Sequence, residues 1–140
     1  VDVLVRAFFD GTLQPINPCA CAVGNLICAA NGLAMQARPS GRIVSPATGW
    51  MGLIRGVKPR PDDDKMLGWL ANTGYALREL NRIERAFEGG AILAGDLDET
   101  VRAHSGLMAV LDVLFDIHGV AADEKPAHIA RFSHPALAPA

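Results

Sequence analysis

Apolar positions along this chain recur mostly at helical spacing, and stretches without any period separate them. The clearest stripe is Ala76, Leu77, Leu80, Ile83, Ala86 and Phe87. Steps of three and four put these side chains on one face of a helix running from about Gly74 to Glu88. The other face alternates Arg78, Glu79, Arg82, Glu84, Arg85 and Glu88, which reads as a solvated surface. The spacing lets Glu79 pair with Arg82 and Arg85 with Glu88 across a turn, and Gly89-Gly90 predicts the stop. A second stripe joins Val101, His104, Leu107, Met108, Leu111, Leu114, Phe115 and His118. It predicts a helix opening at Asp96 or Asp98 and closing at Gly119, with Asp96 and Glu99 at capping-box spacing.

Nearer the start, Asn17 predicts an N-cap and Pro18 the first helical position, where the N–H that proline lacks would have had no partner. Apolar residues continue from Cys19 to Ala30 almost without charge, and Gly32 supplies a stop. A helix polar on no face is expected to be buried on most sides. Gly24 inside it costs about 1 kcal/mol relative to Ala, so close approach of another backbone or a ligand is expected there. Val1–Asp10 alternates like a strand at its β-branched start, while Leu4, Val5, Phe8 and Phe9 follow a helical stripe. Helix is the preferred reading, ended by Gly11. Asp62-Asp63-Asp64 introduces a short helix through Met66, Leu67, Trp69 and Leu70, its carboxylates suiting the positive end of a helix dipole.

Between Gly32 and Arg60 the pattern dissolves, broken by Pro39, Gly41, Pro46, Gly49, Gly52, Gly56 and Pro59. A hairpin around Arg42-Ile43-Val44 and a helical turn around Trp50–Ile54 are the elements this loop suggests. The fold class that follows is all-α, a compact bundle of four to five helices with a long irregular central loop. Residues 1–120 form a single helical domain on this reading. Residues 121–140 form an Ala/Pro-rich tail, disordered in part or packed on a neighbour.

Composition refines this picture. The 140 residues are 50% hydrophobic but only 6% aromatic, which suits close helix packing by small aliphatic side chains. Apolar runs are too short to span a bilayer, and Val1–Asp10 does not resemble a signal peptide. Three cysteines, all between positions 19 and 28, do not make a secreted disulfide framework, so reduced thiols in a cytoplasmic protein are expected. The net charge of −2 gives no overall attraction to nucleic acid or anionic membranes. Charge is uneven, however: Arg38, Arg42, Arg55, Lys58 and Arg60 lie in the central loop with no acidic residue among them.

Candidate chemistry starts with Cys19. In the first turn of a helix capped by Asn17, its thiolate would be favoured by unpaired N–H groups and the dipole, with His104 or His118 as a catalytic partner. Packing is the blander reading, since cysteine is among the most buried residue types. Cys19 and Cys21 point apart on a helix, and Cys-x-x-Cys spacing is absent, so no metal site and no cofactor are expected. Asp112 and Asp116 are four apart on one face, where a shared ion competes with simple solvation. His128 and His134 fall in the tail. Arg38, Arg42, Arg55, Lys58 and Arg60 are the candidate ligand-binding cations, with Trp50 as a stacking surface for a phosphate-bearing ligand or nucleic acid.

Cys21-Ala22-Val23-Gly24-Asn25-Leu26 resembles a motif near the start of small uncharacterised proteins from bacteriophages and from Bacteroidetes genomes. Tyr75…Glu79-Leu80…Ile83-Glu84…Ala86-Phe87-Glu88 and Gly106-Leu107…Ala109-Val110-Leu111-Asp112-Val113-Leu114 are similar to segments of the same proteins. The resemblance implies a phage or mobile-element setting and no particular activity. A non-enzymatic binding or assembly protein is the first functional expectation, working as a homodimer or on a protein partner. A thiol enzyme or anionic small-ligand binder centred on Cys19 is the second. Weak nucleic-acid binding through Arg38 to Arg60 is the third.

Overall fold

The computed structural model describes residues 1–95 and 98–133. Among these, the chain folds into seven α-helices, one 3-10 turn and a two-stranded hairpin, the all-α bundle expected. Helix α1 spans Asp2–Asp10 and buries Leu4, Val5 and Ala7. Gly11 ends it at φ 74°, a left-handed conformation in which its N–H and that of Thr12 return to the last carbonyls. Helix α2 spans Ala22–Asn31, with every residue from Ala22 to Cys28 buried, and packs against α1, α4 and α5. Its central place was legible in its lack of charge. Its start was not.

The chain from Gln14 to Cys21 is a sequence of turns, so the helix begins at Ala22 rather than beside Asn17. Two interactions explain this correction. The Asn17 side chain does not cap a helix; its Nδ2 donates to Gln14 Oε1 at 2.8 Å and to the Ile43 carbonyl at 2.9 Å. The Cys21 thiol then serves as N-cap, its Sγ accepting from the Gly24 N–H at 3.4 Å. Cysteine is outside the usual capping set, which is why no sequence signal marked it. Gly24 is needed because a Cβ there would collide with the Pro18 carbonyl and lie 2.8 Å from the Cys19 carbonyl carbon. Close approach of another backbone or of a ligand was expected at this glycine, and it is the backbone of the turn 18–19 that approaches.

The central loop is irregular but anchored. Strands β1 (Gln36–Ala37) and β2 (Ile43–Val44) pair antiparallel, and the short helix α3 covers Met51–Ile54. Trp50 is 0% exposed, and its indole N–H donates to the Pro18 carbonyl at 3.2 Å and the Ala47 carbonyl at 3.1 Å. Buried Trp50, Leu53 and Ile54 therefore bind this loop into the core. A 3-10 turn at Pro61–Asp63 leads into α4, Asp64–Ala71.

Helices α5 (Leu77–Leu93) and α6 (Glu99–Ile117) form the largest helix pair. The expected stop at Gly89-Gly90 does not occur, and α5 continues for three more residues. Gly90 is the crossing point: a Cβ there would lie 2.7 Å from the Ser105 carbonyl oxygen and 2.8 Å from Ala109 Cβ. Gly106 faces it with the same constraint against Phe87, and Ser105 Oγ donates to the Gly90 carbonyl at 2.6 Å. Packing outweighs propensity here, because the glycines let two backbones meet. Asp98 caps α6 by accepting from the Val101 N–H; Asp96, the alternative cap, lies outside the described residues. Within the expected tail, Lys125–Ser133 forms helix α7 against α6. Lys125 reaches Asp112 at 3.4 Å and Asp116 at 3.9 Å. No helix of the described residues is long and apolar enough to cross a membrane.

Candidate ligand-binding cleft

A cleft of about 430 Å³ opens between the 16–18 turn, α3 and α5. Its α5 wall is Asn81, Glu84, Arg85, Glu88, Gly89 and Ile92, a stripe at helical spacing on the face turned from α6. Ile16, Pro18 and Met51 supply apolar surface opposite, and Arg55 stands just past the end of α3.

The two carboxylates of this wall are held by backbone. Glu84 is only 4% exposed and accepts from the Val23 N–H at 3.3 Å, occupying the positive end of α2. The Cys21 thiol lies beside it and donates to the Pro18 carbonyl at 3.7 Å. Burial raises the Glu84 pKa from 4.5 to about 7, with Glu88 nearby adding to the rise and the neighbouring Cys21 and the bond from Val23 opposing it. Burial also pushes the Cys21 thiol well above its ordinary value, reinforced by Glu84. Glu88 accepts the Ile16 N–H on both oxygens, at 3.0 and 3.1 Å. That bond holds Ile16 at φ 60°, the sole non-glycine residue with positive φ among those described, while its side chain stays 67% exposed at the cleft rim. A β-branched residue in this region is strained, and such strain gathers at functional sites.

The sequence-predicted site residues are scattered. Cys19 lies before the first turn of α2, so the helix-start argument for its activation falls. Its Sγ donates to the Ser45 carbonyl at 3.5 Å, and Ser45 Oγ returns a bond to the Cys19 carbonyl. His104 packs on Phe8 of α1, with ring centroids 5.5 Å apart. His118, at the C-cap of α6, meets the Tyr75 hydroxyl at 2.6 Å. None of these contacts joins one of the three to another. Trp50 is in the core and offers no stacking surface. Arg38 and Arg42 are exposed on the hairpin, Lys58 and Arg60 are exposed beyond α3, and of the loop cations Arg55 lines the cleft.

The expected pairs on α5 are replaced by others. Arg82 binds Asp116 of α6 at 2.6 Å, and Glu79 accepts from the Ala76 N–H at 2.8 Å. Asp112 and Asp116 are thus met by Arg82 and Lys125, and no metal-holding cluster of His, Cys, Asp and Glu exists among the described residues. His134 lies outside them.

Glu84 and Glu88 were read as solvated. The one signal against that was position: Glu84 is flanked by Ile83 and sits three before Phe87, at the edge of the apolar stripe. Comparison with protein-family models, curated proteins and solved structures finds no match for this chain.

Proposed function

We propose that this is a binding protein whose ligand is a small anion with an apolar body, held in the cleft between the 16–18 turn, α3 and α5. The supporting observation is an account of hydrogen-bonding capacity. Glu84 is engaged by Val23, Glu88 by Ile16, Asn17 by Gln14, Cys19 and Ile43, and the Pro18 carbonyl by Trp50 and Cys21. The Arg55 and Arg85 guanidinium groups and the Asn81 amide have no protein partner among the described residues. The open polar groups of the cleft are therefore mainly donors, two of them charged. Ile16, Pro18, Met51 and Ile92 offer apolar surface beside them, the mixture that small-molecule sites use. Arginine recognises carboxylate, sulfonate and phosphate oxygens by paired N–H bonds.

Titration with octane-1-sulfonate and, separately, octylamine tests the reading, followed by amide chemical shifts. Saturable shifts at Asn81, Arg85 and Ile92 are expected with the sulfonate, weakened at least tenfold by Arg85→Ala or Arg55→Ala. Equal binding of the amine at the same amides, or no localised shifts from the sulfonate, would refute it.

A further inference from the structure

We infer that the cleft takes up its anion together with a proton, and that Glu84 is the group that receives it. This rests on the ligand reading above and adds how the site is regulated. Glu84 forms part of the cleft wall, so an anion seated against Arg55 and Arg85 brings negative charge close to a carboxylate that is 96% buried by exposure. Like charges in a desolvated site are separated most cheaply by protonating the buried one. Once protonated, Glu84 has an O–H to donate, to Glu88 in the empty cleft and to an anion seated there when the cleft is filled.

The groups around Glu84 leave it as the proton carrier. From α2 it faces the Val23 N–H and the Cys21 thiol, which burial holds in its neutral form. From α5 it meets Glu88, while Arg85 and, past the end of α3, Arg55 line the same cleft. Both Glu88 oxygens already accept the Ile16 N–H, at 3.0 and 3.1 Å. Among the described residues, no histidine lines the cleft. Free Glu84, with a pKa raised to about 7, is largely ionised at pH 8 and largely protonated at pH 6. An anion that lifts it further is therefore bound with proton uptake at the higher pH and without it at the lower.

Octane-1-sulfonate is the probe, because it stays ionised and any proton taken up belongs to the protein. Calorimetric titrations of the whole chain in pairs of cationic buffers with different protonation heats, bis-tris and imidazole at pH 6, Tris and triethanolamine at pH 8, separate the proton count from the binding heat without adding a competing anion. The expected result is uptake of nearly one proton at pH 8 and almost none at pH 6, with a dissociation constant about tenfold larger at pH 8. Glu84→Gln keeps an N–H donor and cannot ionise, so its affinity is expected to be flat between these values, without buffer-dependent heat. A merely structural Glu84 would leave the wild-type proton count at zero, a result that needs no variant to fold. Sulfonate binding at pH 8 without proton uptake overturns this inference and leaves the ligand reading standing. A pH slope that persists in Glu84→Gln does the same. Absence of sulfonate binding at pH 6 overturns both.

Discussion

The two long faces of α5 are built on opposite principles. The face toward α6 carries Leu80, Ile83, Phe87, Gly90 and Ala91, all buried, and meets its partner through glycine and alanine at van der Waals distance. The face toward α2 and the 16–18 turn carries Asn81, Glu84, Arg85, Glu88 and Ile92, and meets its partners through hydrogen bonds to backbone. The first face is filled and leaves no room to change. The second is held open, with a buried carboxylate and a strained residue at its edge. Rigidity on one side of a helix lets the other side carry groups that cost stability.

The largest expected effects lie on the filled face, where either sign of volume change should be costly. Phe87→Ala removes a fully buried ring and is expected to cost about 3–5 kcal/mol, a large share of the roughly 5–15 kcal/mol available to a domain. Gly90→Val drives atoms into Ser105 and Ala109 and is expected to cost about 1–3 kcal/mol or more. Urea unfolding midpoints measure both. A Gly90→Val protein as stable as wild type would mean that the helices can separate, and the contrast between the faces would be lost.

On the open face the next effect depends on pH. Glu84 has a folded-state pKa of about 7 against an ordinary 4.5, so the folded protein holds a proton that the unfolded chain has released. Its contribution is fully present below pH 4.5 and is lost as pH rises through 7. At about 1.4 kcal/mol for each pH unit between those values, the loss is roughly 3 kcal/mol. Glu84→Gln is neutral throughout, so its stability relative to wild type should improve from pH 5 to pH 8. Midpoints that run parallel across that range would show that Glu84 is not desolvated by the α2 junction.

How much of this was legible follows the same division. The filled face was read correctly from Leu80, Ile83 and Phe87, because burial of a continuous stripe leaves its period in the sequence. The helix end was misread at Gly89-Gly90, since a glycine that permits contact looks the same in sequence as a glycine that ends a helix. Gly24 was read as a contact because it stands inside an apolar run that continues past it. The open face left almost no trace. Glu84 and Glu88 are bound by N–H groups of Val23 and Ile16, 61 and 72 residues away in the chain, and no local pattern records such a pairing. Cys19 drew attention through the cap expected at Asn17, yet Asn17 spends its amide on Gln14 and on β2. Trp50 looked available for stacking because it lies among the five cations of the central loop, yet its indole is buried and bonded to the Pro18 and Ala47 carbonyls.

The smallest effect should have the opposite sign. Ile16 holds φ 60° because its N–H is fixed to Glu88, and its side chain contributes to the cleft while remaining 67% exposed. A left-handed conformation costs an L-residue about 1–2 kcal/mol, and asparagine tolerates it far better than isoleucine. Ile16→Asn keeps the N–H that Glu88 accepts, gives up little buried surface and relieves the strain. The variant is expected to be about 1 kcal/mol more stable by urea unfolding while binding octane-1-sulfonate more weakly, since apolar surface at the cleft is lost. A loss of stability would show that the Ile16 side chain supports the fold, and the open face would then be ordinary packing. A gain accompanied by weaker binding would mark Ile16 as a residue kept for the ligand at the expense of the fold.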